Sequence, residues 1–114
     1  MMTEEEKRKA KRTIANFMDW IDSPYENTPD KVYSKDLTVC KHLDNFKYFE
    51  SWDEIMPVIE KIISLGYPVT FIKKDCWTHI SIGNIEIINK ENSIVTLCLS
   101  IIEFIEWYNQ HTKS

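Results

Sequence analysis

Apolar residues recur at helical spacing in three separate stretches, and a period of two takes over between the second and the third. In the first stretch Ala10, Ile14, Phe17, Met18 and Ile21 form one stripe. Thr3 and Glu6 ahead of it make a Thr-x-x-Glu capping box, and acidic residues occupy the positive end of the helix. This predicts an amphipathic helix over residues 1–22, stopped at Ser23-Pro24 because the residue before a proline is pushed out of the helical region. In the second stretch Ile55, Val58, Ile59, Ile62 and Ile63 return at the same spacing behind a second capping box, Ser51 and Glu54. Pro57 falls near the entry of that helix, where a missing amide does limited damage. Gly66 is suited to the left-handed position after the helix, Tyr67 to the apolar position that folds back, and Pro68 prevents continuation.

Alternation then predicts three strands, Tyr67–Lys73, Trp77–Gly83 and Ile85–Asn89, joined by turns at Lys74-Asp75 and Gly83-Asn84. Links this short require an antiparallel meander. One face would carry Val69, Phe71, Ile80, Ile82, Ile85 and Ile87 toward the core; the other would carry Thr70, Ile72, Trp77, His79, Ser81, Glu86 and Ile88. The last helix, about Ser93 to His111, is apolar around most of its circumference, with a narrow polar stripe of Thr96, Ser100, Glu103 and Gln110. Residues 23–50 show no sustained period, and read as a long connection with one extended piece near Val32–Val39. The expected fold is α+β: an N-terminal helix, a long connection, a helix, a three-stranded antiparallel meander and a C-terminal helix, with the helices packed on the sheet. The organisation expected is one domain over 1–114, made of the helix 1–22, the irregular connection 23–50 and a helix–meander–helix core 51–111.

A chain of 114 residues that is 43% hydrophobic has enough apolar surface to build a core. No apolar run approaches the length of a membrane span, and the charged start MMTEEEKRKAKR lacks a signal-type apolar segment, so the expected location is the cytoplasm. Three widely spaced cysteines, Cys40, Cys76 and Cys98, argue for reduced and mostly buried thiols rather than a disulfide framework. The formal charge of −4 hides an asymmetry: residues 1–12 hold five Lys/Arg against three Glu, a net +2, leaving −6 on the remainder. That balance suits neither an obligate nucleic-acid binder nor a dense acidic mimic of DNA.

Candidate chemistry is sparse. Cys76-x-x-His79 and Cys40-x-His42 could supply zinc ligands, but Cys76 and His79 would point to opposite faces of a strand. The glycine-rich phosphate loops and nucleophile motifs of common enzymes do not occur, and Asp53 and Glu54 read as helix-start residues. No enzyme activity, metal or cofactor is expected. Two surface features remain as candidate partner-binding sites. The basic run Lys7, Arg8, Lys9, Lys11 and Arg12 is either a solvated helix face or a phosphate contact to RNA, DNA or an RNA-protein complex. Lys73, Lys74, Trp77 and His79 form the second patch, the alternative being that the apolar stripe of the first helix docks on this face and covers it. Phe104, Trp107 and Tyr108 on the apolar last helix are candidates for self-association, and so for a homodimer.

Read together, Ile14-Ala15-Asn16-Phe17-Met18, the run from Ser51 to Ile62, Gly66-Tyr67, and Glu103-Phe104-Ile105-Glu106-Trp107-Tyr108-Asn109 resemble small accessory proteins of phages and prophages in Bacteroidetes bacteria. They are also similar to the phage alpha/beta/alpha ("ABA") sandwich group. The resemblance skips residues 23–50, rests on caps, core and packing aromatics, and transfers no catalytic residue. It implies a counter-defence role of the anti-CRISPR kind: binding a host protein or ribonucleoprotein, such as an RNA-guided nuclease of the RNA-cleaving Cas type. The alternatives are a sponge for a cyclic nucleotide immune signal, with Trp77 stacking a base, and a phage structural or regulatory interaction module.

Overall fold

The computed structural model describes residues 3–23, 30–89 and 93–112. The protein is α+β, and its chain divides into two compact units, Met1–Lys47 and Tyr48–Ser114.

In the first unit α1 spans Glu4–Phe17 and opens with the predicted capping box, Thr3 accepting from the Glu6 amide while the Glu6 carboxylate accepts from the Thr3 amide. The helix stops earlier than its apolar stripe suggests. Asp19 adopts φ 73°, the Asp19 N–H bonds Asn16 O at 3.2 Å, and the Trp20 N–H bonds Ala15 O at 3.0 Å. This is a Schellman ending with aspartate in the place usually held by glycine. Ile21, expected on the helix, instead joins β1 (Ile21–Asp22).

The predicted long connection contains a second sheet. β2 (Lys31–Tyr33) pairs antiparallel with β1 and with β3 (Cys40–His42), in the order β1-β2-β3. A 3₁₀ turn, Leu43–Asn45, follows. These strands are two or three residues long, too short for a period of two to show in the sequence. The β2–β3 loop is organised by Asp36, whose carboxylate accepts from the Ser34 hydroxyl at 2.7 Å, the Thr38 hydroxyl at 2.7 Å and the Thr38 amide at 3.1 Å. Leu37 at its tip is exposed and carries φ 63°.

The second unit follows the expected order: α2 (Trp52–Ser64), β4 (Val69–Lys73), β5 (Thr78–Ile82), β6 (Ile85–Asn89) and α3 (Ser93–Thr112). Ser51 is the N-cap of α2 by backbone geometry, but its side chain makes no capping bond, so the second predicted capping box is not formed. Pro57 lies inside the helix, and the carbonyl four residues back loses its intrahelical donor. The far end is as predicted: Gly66 sits at φ +97°, its N–H bonds Ile63 O at 2.9 Å, and the Tyr67 N–H reaches Ile62 O at 3.4 Å.

The sheet order is β4-β5-β6, antiparallel throughout, with Val69, Ile82 and Ile85 in one row and Phe71, Ile80 and Ile87 in the next. α3 packs on β5 and β6, while α2 packs on β4 and α3. Burial therefore falls off from the middle strand: Ile80 and Ile82 are sealed and Val69, Ile85 and Ile87 are half-buried. Phe71, expected in the core, is 41% exposed because its strand lies at the edge away from α3.

α3 reverses one expectation about its polar stripe. Thr96 and Ser100 are fully buried, and the Ser100 hydroxyl donates to Thr96 O at 2.9 Å. A small hydroxyl residue can return its bond to the preceding turn and still lie against packed neighbours. The half-exposed stripe is instead apolar: Val95, Leu99 and Ile102. Among the described residues, no helix is long and apolar enough to cross a membrane.

Candidate interaction surface

Most of the basic run on α1 is engaged with carboxylates of its own unit. The Arg8 guanidinium forks onto Asp44, Nε to Oδ1 and Nη2 to Oδ2, both at 2.9 Å, and Nη1 lies 3.9 Å from Asp30 Oδ2. The hydrogen bond from Arg8 holds the Asp44 carboxyl below the usual range, and Asp44 in turn raises Arg8. His42 supports this arrangement: its Nδ1 accepts from the Asp44 amide at 3.1 Å, capping the 3₁₀ turn. Arg12 reaches Asp22 of β1 at 3.8 Å, and Lys7 lies 3.7 Å from Glu4. Lys11 is only 8% exposed. Of the four cations proposed to meet a partner, three face acidic side chains of the fold and the fourth is buried. Asp30 and Asp44 belong to the stretch that lacks a sequence period, which is why this neutralisation was hidden.

Of the second predicted patch, Trp77 and His79 come together, Lys74 joins Trp77 through the backbone, and Lys73 falls on the opposite face. On the face of β4–β6 turned away from α3, one row holds Ile72, His79 and Ile88, and the next holds Thr70, Ser81 and Glu86. His79 Nε2 lies 2.6 Å from Glu86 Oε1, a diagonal cross-strand pair. The Trp77 ring is 6.5 Å from that of His79 between centroids. The Lys74 N–H bonds Trp77 O at 2.9 Å, closing the β4–β5 turn. Lys73 is opposite Thr78 in the register and so has the parity of the inner face, apart from Trp77 and His79. Ile72 and Ile88 are exposed, Ile88 by 66%. The surface is thus mixed, with apolar side chains around a closed His–Glu pair.

Two neighbouring features went unnoticed as surface groups. Trp52 of α2 meets Phe71 edge to face at 5.8 Å and 85°, and both are exposed, as is Met56. Alternation assigns Phe71 to the core, and the edge position of β4 leaves it, with the Trp52 ring against it, open to solvent.

The self-association trio divides. Phe104 is fully buried and unavailable to a second molecule. It packs with Tyr67 at 5.0 Å, Tyr108 at 5.8 Å and Trp107 at 6.0 Å between centroids, and Trp107 stacks on His111 at 4.6 Å. Trp107 and Tyr108 are half-buried members of this cluster. Gly83 is part of the same packing: a Cβ there would stand 3.2 Å from Tyr67 Cδ1.

The cysteines also depart from expectation, since Cys40 and Cys76 are exposed and Cys98 alone is buried. The Cys98 thiol donates to Tyr48 O at 3.0 Å, and burial pushes its pKa up to about 12. Among the described residues, no cluster of three or more His, Cys, Asp or Glu side chains could hold a metal ion.

No protein family, curated protein or solved structure matches the chain.

Proposed function

We propose that this protein is a binding protein that acts through the outer face of its β4–β6 sheet, occupying a site on a host protein or ribonucleoprotein. The observation that carries this reading is the row in which exposed Ile72 and Ile88 flank half-buried His79, with half-buried Trp77 beside it. Exposed isoleucines on either side of His79, with the Trp77 ring next to it, suit a protein contact, where aromatic side chains provide much of the binding energy. The engagement of Arg8 and Arg12 with carboxylates of their own unit favours protein over phosphate as the principal target. His79, His42 and Cys98 each have a partner or burial that suits a structural role, which supports non-catalytic action.

The target class rests on the resemblance to phage accessory proteins. Under it, the protein is a counter-defence factor of the anti-CRISPR type working in the bacterial cytoplasm against an RNA-guided nuclease. The experiment is direct binding to purified RNA-guided effector complexes, comparing the wild type with Trp77→Ala and Ile72→Asp. The expected result is binding by the wild type and a loss of at least about tenfold in each variant. Binding that both variants retain would reject this face; no binding to any such complex would reject the target class.

One observation favours the cyclic-nucleotide alternative: Lys74 and Trp77 meet across a single turn. A cyclic di- or trinucleotide would then raise the melting temperature of the wild type but not of Trp77→Ala.

A further inference from the structure

The hydrogen-bond phase of the β4–β6 sheet shows which backbone groups β6 leaves open. Bonds from the Lys74 N–H to Trp77 O and from the Gly83 N–H to Pro68 O place pairs 74/77 and 68/83 in the bonded phase of the β4–β5 ladder. With the period of two, residues 79 and 81 of β5 bond toward β4, and residues 78, 80 and 82 bond toward β6. Their partners on β6 are Asn89, Ile87 and Ile85. The tight Gly83-Asn84 turn, with Gly83 at φ +59°, agrees with a bonded closing pair Ile82/Ile85. Glu86 and Ile88 therefore direct their N–H and C=O groups away from β5, along the outer edge of the sheet.

Soluble proteins guard such edges with lysine, proline, bulges or inward charges. β6 reads Ile-Glu-Ile-Ile-Asn, and its one charge, Glu86, is already paired with His79 at 2.6 Å. We infer that β6 is the joining edge of a homodimer, in which two copies align antiparallel to make one six-stranded sheet.

The register follows from the open groups. Outward-bonding residues must face each other, and of the two-fold registers that allow this only Glu86 opposite Ile88 of the second copy bonds both open residues of each β6 and keeps the two Glu86 carboxylates from facing each other, so the two-fold axis passes by Ile87. Each copy then exchanges both backbone bonds at two positions. On the α3 side Ile87 meets Ile87, and no like charges stand directly opposite. A strand pair alone is small beside the roughly 1,200–2,000 Å² that a stable interface buries. The half-buried Ile85 and Ile87, and the half-exposed stripe Val95, Leu99 and Ile102 on the helix that packs against β6, offer the additional apolar surface. This edge is a different surface from the Phe104 cluster, and the dimer stands or falls apart from the identity of any host target.

The test is molar mass by light scattering and sedimentation across a concentration series, with amide hydrogen exchange read at Glu86 and Ile88. The expected result is a mass rising to twice 13.6 kDa, with both amides becoming protected as the dimer forms. Ile88→Pro removes an outward N–H while leaving the β5–β6 bonds in place, so it should fold and weaken association at least about tenfold. A mass of one chain at millimolar concentration would overturn the inference, as would a dimer whose Glu86 and Ile88 amides exchange as fast as in the monomer. Should Ile88→Pro fail to fold, the wild-type exchange data alone decide. A monomer that instead gains protection at these two amides from an added extended peptide would assign the edge to a peptide ligand and reject the second copy.

Discussion

Arg8 and Asp44, 36 residues apart in sequence, are joined by two parallel hydrogen bonds of 2.9 Å. The planar guanidinium matches the carboxylate edge to edge, a geometry that lysine cannot reproduce. Arg8→Lys should therefore lower the melting temperature despite keeping the charge, whereas Lys9→Gln on the exposed side of α1 should not. A double-mutant cycle with Asp44→Asn should show strong non-additivity, the second substitution costing little once the first is made. The depressed Asp44 value sets the pH dependence: this stabilisation is complete above the ordinary carboxylate value of 3.8 and is lost as pH falls through the lowered folded value.

Asp36 offers a second acid-range test. Bonds from the Ser34 hydroxyl and from the Thr38 hydroxyl and amide bring its pKa to about 2, against 3.8 ordinarily. The contribution is present above pH 3.8 and disappears as the solution is acidified through about 2. NMR titration of the carboxyl carbon should find that low midpoint in the wild type, and a midpoint shifted upward in Ser34→Ala and in Thr38→Val. An Asp36 that titrates near 3.8 in the wild type would contradict the hydrogen-bonded loop.

Leu37 holds a left-handed backbone that disfavours a branched side chain and suits glycine. Its side chain is exposed, so removing it sacrifices little burial. Leu37→Gly should stabilise the fold by about 0.5–1 kcal/mol after the entropy of glycine is subtracted. Chemical denaturation would show this as a higher midpoint at an unchanged m-value.

Phe104 and Gly83 mark the aromatic cluster of the second unit. Phe104→Ala should cost about 3–5 kcal/mol, as expected for a fully buried aromatic side chain. Gly83→Ala adds a Cβ 3.2 Å from Tyr67 and imposes a left-handed alanine, so a loss of about 1–3 kcal/mol is expected. Both are measurable by urea unfolding followed by tryptophan fluorescence.

Thiol chemistry separates the cysteines. Cys40 and Cys76 are exposed and should react quickly with an aromatic disulfide reagent at neutral pH. Cys98, buried with its pKa near 12, should react only as the protein unfolds. Three fast thiols in the native protein would show that the core around α3 opens readily.

The parts of the fold that were legible in the sequence depend on neighbours along the chain. Thr3 and Glu6 cap a helix because they are one turn apart, Gly66 ends one because it accepts φ +97°, and two-residue turns oblige β4, β5 and β6 to run antiparallel. The same locality put Trp77 and His79 on one face. The early end of α1 was missed because Asp19 takes a conformation usually left to glycine, and the first sheet because its strands are only two or three residues long.

From the amino-acid order alone came the α+β class, the ends of α2 and the alternation of the meander, all set by steric and hydrogen-bonding rules acting over a few residues. Only the tertiary structure decided that Arg8 meets Asp44, that Thr96 and Ser100 turn inward, that Phe71 stays exposed and that β6 ends its sheet. Those outcomes depend on which distant surfaces approach each side chain, and a hydrophobic or charge pattern records a need for partners without specifying them.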